Sequence, residues 1–262
     1  MRNLILFLSL GGAVFAAENF ASKAEAVESA INGKKMVLAA RLDNELQAAL
    51  GEQLKHPRPP YPKAPNSDYA EMVAAVKHAL AAGDLLAAYN ANSELTFNLY
   101  VAAKNLPPAI RLPELEEDLA GLTGVKREMR VAEVGYAALD AGDLVKAAAY
   151  GGELVSSATT GWQSGDSVFD GNQILGLVAL RQGSVAEAKQ RLATAGATKG
   201  SPRLNSFGPT FLLAKALVEK GEREAVISFL EACGKFWKMD RGKLTEWTAT
   251  VRGGGTPSFQ SP

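Results

Sequence analysis

Ala79-Leu80-Ala81-Ala82-Gly83-Asp84 ends one apolar helical pattern and opens another. The string returns as Ala138-Leu139-Asp140-Ala141-Gly142-Asp143 and as Ala179-Leu180-Arg181-Gln182-Gly183-Ser184. Leu217-Val218-Glu219-Lys220-Gly221-Glu222 is a looser fourth copy. Glycine takes the left-handed conformation that ends a helix. Asp84, Asp143 or Ser184 then offers an acceptor to the free N–H groups of the next one. Ser184 and Glu187 have capping-box spacing. Five places after the first three glycines stands Ala88, Ala147 or Ala188, small enough for two helices to approach closely; the fourth unit has Val226 there. The glycines lie 59, 41 and 38 residues apart. The last two spacings suit a helix-pair repeat, whose periods run from about 34 to 47 residues. The pattern predicts an all-α fold of stacked antiparallel helical hairpins.

Composition agrees. The 262 residues include 44 Ala and 32 Leu against 3 Trp, 6 Tyr and 10 Phe. Ala and Leu head the helix-propensity scale, and β-branched runs are few. Lys plus Arg and Asp plus Glu both total 28, so the basic excess of a nucleic-acid binder is missing. A single Cys excludes a disulfide framework and a Cys-rich metal site.

Working outward, residues 17–55 read as an N-terminal helical pair. Val27 and Ile31 precede a possible stop at Asn32-Gly33, and Leu38, Leu42, Leu46, Leu50 and Leu54 repeat every fourth place. Residues 56–67 carry Pro57, Pro59, Pro60, Pro62 and Pro65 and read as a stiff connector. The helical-repeat domain is then 68–252. Its helix starts are placed at Asp68-x-x-Glu71, at Pro113 with Glu114, Glu116, Glu117 and Asp118, at Ser167-x-x-Asp170, and at Pro209. The row Leu115, Leu119, Leu122, Met129, Tyr136 and Leu139 reads as one long helix, kinked near Gly121 and Gly124. Leu244, Trp247 and Val251 make a capping helix, and 253–262 read as a flexible tail.

The first sixteen residues read as an address. Arg2 is a positive start, Leu4 to Phe15 are largely apolar, and Val14-Phe15-Ala16 fits signal-peptidase cleavage after Ala16. No later segment has the roughly 18 uncharged apolar residues of a membrane span. The expected compartment is the bacterial periplasm.

The Ala-Leu-x-x-Gly-Asp junctions between Asp68 and Lys238 resemble those of tetratricopeptide-type repeats, without the early Trp and closing Pro of that motif. The strings Gly171-Asn172-Gln173-Ile174-Leu175-Gly176 and Ser201-Pro202-Arg203-Leu204-Asn205-Ser206-Phe207-Gly208-Pro209 resemble a group of exported bacterial helical-repeat proteins with no assigned biochemical function. The resemblance implies a tetratricopeptide-like α-solenoid and supplies no catalytic residue.

Catalytic patterns are scarce. No Gly-x4-Gly-Lys-Ser/Thr loop occurs, and Gly161-Trp162-Gln163-Ser164-Gly165 puts Ser one place too late for a hydrolase elbow. His56 and His78 are the only imidazoles. Cys233 falls in the apolar row Val226, Leu230, Trp237 and reads as a core thiol. The acids at 114–118 suit a helix first turn without a metal. Lys126, Arg127 and Arg130 alternate with Glu128 and Glu133, as on a solvated face. No cofactor and no metal site is expected. Trp162, Phe169, Phe207, Phe236 and Trp237, with the amides of Asn172 and Asn205, are the candidate lining of a peptide-binding groove. The expected function is a non-enzymatic scaffold for a protein or peptide partner. The alternatives are an enzyme with a carboxylate-based site and a self-associating structural component of the envelope.

Overall fold

The structure is a computed structural model that describes residues 19–59, 65–158 and 164–259. The predicted signal segment, residues 60–64 of the connector, Trp162 and the last three residues fall outside that range. The fold is all-α, with thirteen helices packed on one another and no strand among the described residues. The chain divides into two compact units at residues 118 and 119.

The first unit holds α1 (19–32), α2 (Met36–Gln53), α3 (Tyr69–Ala81), α4 (Leu85–Lys104) and most of α5 (Pro108–Ala120). Helix α4 packs on both α2 and α3. Leu46 and Leu50 of the predicted leucine row are fully enclosed with Leu95 and Leu99, and Leu38, Leu42 and Leu54 pack at the margin. The turn after α1 is made by Lys34 with φ +57°, rather than by Gly33.

Helix α5 corrects the expected start at Pro113. It begins at Pro108, and Pro113 lies inside it. Pro108 suits a first helical position, where no N–H is needed. The acids therefore sit beyond the first turn and serve another helix. Glu114 Oε2 accepts from the Val37 N–H at the start of α2 (2.9 Å), Lys35 donates to Glu117 (2.6 Å), and Arg41 pairs with Asp118.

The second unit holds α6 (Gly124–Asp140), α7 (Leu144–Ser157), α8 (Ser164–Arg181), α9 (Val185–Gly196), α10 (Pro202–Phe207), α11 (Leu212–Glu219), α12 (Arg223–Cys233) and α13 (Lys243–Arg252). The expected long helix from 115 to 139 is two helices, broken at 121–123 before Gly124 with φ +56°. Helix α8 starts at Ser164, so Ser167 is a buried interior residue and not a cap. Helix α11 starts at Leu212 instead of Pro209, because Gly208 with φ +82° turns the chain first.

Helix α8 is central and packs on α6, α7, α9, α10 and α11. Its crossing with α7 is close: a Cβ on Gly171 would lie 2.9 Å from the Gly151 carbonyl oxygen. Beyond it lies an aromatic core around Phe211, whose ring centre is 4.9 Å from that of Trp247 and 5.9 Å from that of Trp237. Phe259 stacks on Phe211 at 5.5 Å, and Arg223 donates to the Gly254 carbonyl. The segment after Arg252, expected to be flexible, is thus held against this core as far as Phe259.

The four Gly junctions each join two helices that pack together. Gly83, Gly142, Gly183 and Gly221 have φ of +72°, +76°, +86° and +86°. In all four, the residue after Gly donates its N–H to a carbonyl five residues back, at 2.8–3.0 Å, as in a Schellman turn. The side-chain caps are less uniform. Asp84 accepts from Ala87 N and Asp143 from Lys146 N, both at 2.9 Å. Ser184 and Glu222 make no cap bond, so the expected capping box at Ser184 does not form. Ala88, Ala147, Ala188 and Val226 are all fully buried where the paired helices meet.

Candidate functional site

The residues expected to line a groove do not form one surface. Phe169, Phe236 and Trp237 belong to the enclosed core of the second unit. They are among its largest apolar side chains, and the unit covers them to bury their area. Asn172 is 2% exposed; its Nδ2 donates to Val168 O at 2.8 Å. Asn205 is exposed on α10. With its amide nitrogen turned to face the carbonyls, it donates to Ser201 O (3.0 Å) and Phe236 O (3.3 Å). Of the described aromatics among them, Phe207 alone is open, at 77%. Trp162 lies outside the described residues.

A different set of residues converges on the first turns of α8 and α10. A Cβ on Gly165 would come within 1.9 Å of the Gly200 carbonyl oxygen, so only glycine lets these segments touch. Thr198 Oγ1 donates to Gly165 O at 3.0 Å and fastens them. Ser201 caps α10 by accepting from Leu204 N (3.0 Å), and its hydroxyl donates to Asp166 Oδ1 (2.8 Å). Arg203, two residues along, bridges two carboxylates. Its Nε donates to Asp166 Oδ1 at 2.9 Å and its Nη2 to Asp170 Oδ2 at 2.7 Å. Asp166 and Asp170 are four apart and share a helix face. Tyr136 of α6 donates its hydroxyl to Asp170 Oδ1 at 3.2 Å.

Asp170 is deeply buried. Burial is the main force on its carboxyl and pushes it up to about 6, against the pull of Arg203; Asp166 adds to the rise and the Tyr136 bond opposes it. Burial, followed by the charge of Asp170, drives the Tyr136 hydroxyl well above its usual range. Arg203 is 45% exposed in its side chain, so the ion pairs reach the surface.

They reach it in a recess of about 190 Å³. Met129 and Ala132 of α6 and Leu154 of α7 form apolar walls, while Glu128, Asp166, Asp170 and Arg203 supply charge. Met129 is 66% exposed at the mouth. Arg127, just before Glu128, is forked onto Glu153 at 3.0 and 3.1 Å. On the other side of Arg203 a wider hollow of about 480 Å³ is bounded by the Gly208–Leu212 turn, Lys215 and Phe259.

Among the described residues no Ser, Thr or Cys at the recess has a His beside it. Cys233 is enclosed and burial pushes its thiol up, as the core reading expects. His56 and His78 are exposed in the first unit. Among the described residues no cluster of three or more His, Cys, Asp or Glu could hold a metal, and no helix is long and apolar enough to cross a membrane.

No protein-family model, curated protein or solved structure matches this chain. The resemblance to tetratricopeptide repeats therefore rests on the junction strings themselves.

The sequence did carry a signal for the missed site. Asp166 and Asp170 at helical spacing, with an Arg in the cap sequence Ser201-Pro202-Arg203, are visible in the chain. Ser167 and Asp170 instead read as a helix start, which hid the pairing.

Proposed function

We propose that the second unit is a non-enzymatic binding module that captures a peptide segment of a partner protein in the recess between α6, α8 and α10. We propose equally that the chain is a tetratricopeptide-like stack of hairpins, exported by cleavage after Ala16 and acting in the periplasm. The four equivalent Gly junctions support the stack. The observation that carries the binding reading is the recess. It pairs apolar walls with charges, of which Asp166, Asp170 and Arg203 are fixed by mutual bonds, the mixture that receives a side chain with defined orientation. Phe207, four residues along α10 from Arg203, adds exposed apolar area.

The test is panning of a displayed random-peptide library against the chain starting at Ala17. Enriched peptides should lose at least tenfold in affinity with Met129→Glu, which puts charge on the apolar wall. A folded protein that enriches nothing, or peptides indifferent to Met129→Glu, would overturn the reading.

One observation favours the enzyme alternative: two carboxylates, one with a raised pKa, lie beside a recess. Both oxygens of Asp170 are already bonded, to Arg203 and Tyr136, which suits a structural hub better than a proton donor. Turnover of any substrate class that disappears with Asp170→Asn in a folded protein would reverse the preference.

A further inference from the structure

The charges around the recess do not balance. Glu128, Asp166 and Asp170 place three carboxylates on it, and Arg203 is the one cation among its lining residues. Arg203 is committed to both aspartates. The cations flanking Glu128 are engaged elsewhere, Arg127 with Glu153 and Arg130 with Glu133. Glu128 itself makes no hydrogen bond or ion pair among the described residues. It stands half-buried beside an apolar wall, where an opposite charge is attracted.

The size is informative too. Sites for whole small molecules run from about 300 to 1,000 Å³, so a space of about 190 Å³ holds one side chain instead. A carboxylate would meet three like charges and a guanidinium whose Nε and Nη2 already serve Asp166 and Asp170. A purely apolar side chain would cover Glu128 without pairing it. A long cationic side chain meets both demands, because its methylene stem packs on apolar surface while its tip stays with charge.

We infer that the recess takes an arginine or lysine side chain of the docked segment, its stem on Met129, Ala132 and Leu154 and its cationic tip on Glu128 and Asp166. This rests on the binding reading above and adds the chemistry of the occupant. The partner segment is basic at this position.

The experiment uses three small probes of equal reach: n-butylguanidinium, 1-butanol and pentanoate. Each is titrated into the full mature chain labelled with 13C at the methionine methyls, and Met129→Leu identifies the reporting signal. The Met129 methyl should shift with butylguanidinium at a Kd at least fivefold below that of butanol, and should not respond to pentanoate. Glu128→Gln should erase the fivefold preference while butanol binds as before. Equal binding of butylguanidinium and butanol, or a preference for pentanoate, would overturn the cationic occupant and leave the recess as a binding site. A Met129 signal that no probe moves would overturn the occupant and the recess reading together.

Discussion

Asp43 and Asp170 are both enclosed aspartates on helices at the heart of their units, and the two units treat them differently. Asp43, on α2, is met by neutral groups of α4. Thr96 donates its hydroxyl to Oδ2, the Asn92 amide lies close, and Oδ1 has no partner. Burial dominates there and pushes the carboxyl up to about 7. Asp170 has a guanidinium and a phenol on its two oxygens and rises only to about 6. The first unit seals its aspartate in a network of Gln47, Asn92, Ser93 and Thr96. The second ties its own to an arginine that is half in solvent. A sealed carboxylate works best neutral, whereas a paired one at a recess can stay charged and lend its field to a ligand.

The contrast extends to the cores. The first unit is built mainly of Leu, Val and Ala, and the second gathers five rings around and with Phe211. Phe211→Ala should give the largest loss, about 4 kcal/mol in denaturant unfolding, because deleting an enclosed Phe leaves a cavity. A loss below about 1 kcal/mol would show that the rings do not hold the second unit as the packing requires.

Asp43→Asn should come next, with the opposite sign. The folded pKa of about 7 lies above the unfolded value near 4, so the folded state holds the extra proton between them. Wild-type stability therefore falls as pH rises from about 4 through 7 and levels off above. The substitution removes the share of that slope owed to Asp43 and leaves the smaller share from Asp170. We expect a gain of about 3 kcal/mol at pH 8 that vanishes by pH 4, read from urea unfolding at both values. An unchanged pH slope would show that burial does not hold a proton on Asp43.

Asp170→Asn should cost about 1 kcal/mol at pH 7 in the same assay. Relief of burial is outweighed by one amide N–H facing a donor, either Arg203 or Tyr136. A gain equal to that of Asp43→Asn would erase the distinction between sealed and paired carboxylates.

The smallest test compares junctions. Asp84→Ala in the first unit should cost about 1 kcal/mol, the usual value of a lost N-cap. Ser184→Ala in the second should stay within about 0.5 kcal/mol, since no cap bond is lost. Equal thermal shifts for the two would mean that cap side chains do not distinguish the junctions.

These differences mark what the chain itself discloses. The four junctions were legible because everything that makes them is local: a Gly, a carbonyl five residues back, and a small residue five ahead. Helix starts were harder. Pro108 and Pro113 both satisfy the rule for a first position, and Ser164 and Ser167 both look like caps, so packing decides. The aromatics were misplaced because Phe169 and Trp237 look alike whether they fill a core or line a groove. The recess joins residues from 128 to 203, and no local pattern announces that Tyr136 and Arg203 meet at Asp170.

The Gly junctions also set a count. Each turn is closed by main-chain bonds, so the turn itself is indifferent to the side chains that follow. What it fixes is phase. From Gly183 the chain needs five steps to bring Ala188 to the helix contact. Loss of one residue between them would turn α9 by about 100° about its axis and carry Lys189 into the fully buried position that Ala188 holds. A substitution in such a junction is felt where it falls, while a single deletion is read by the whole helix beyond it.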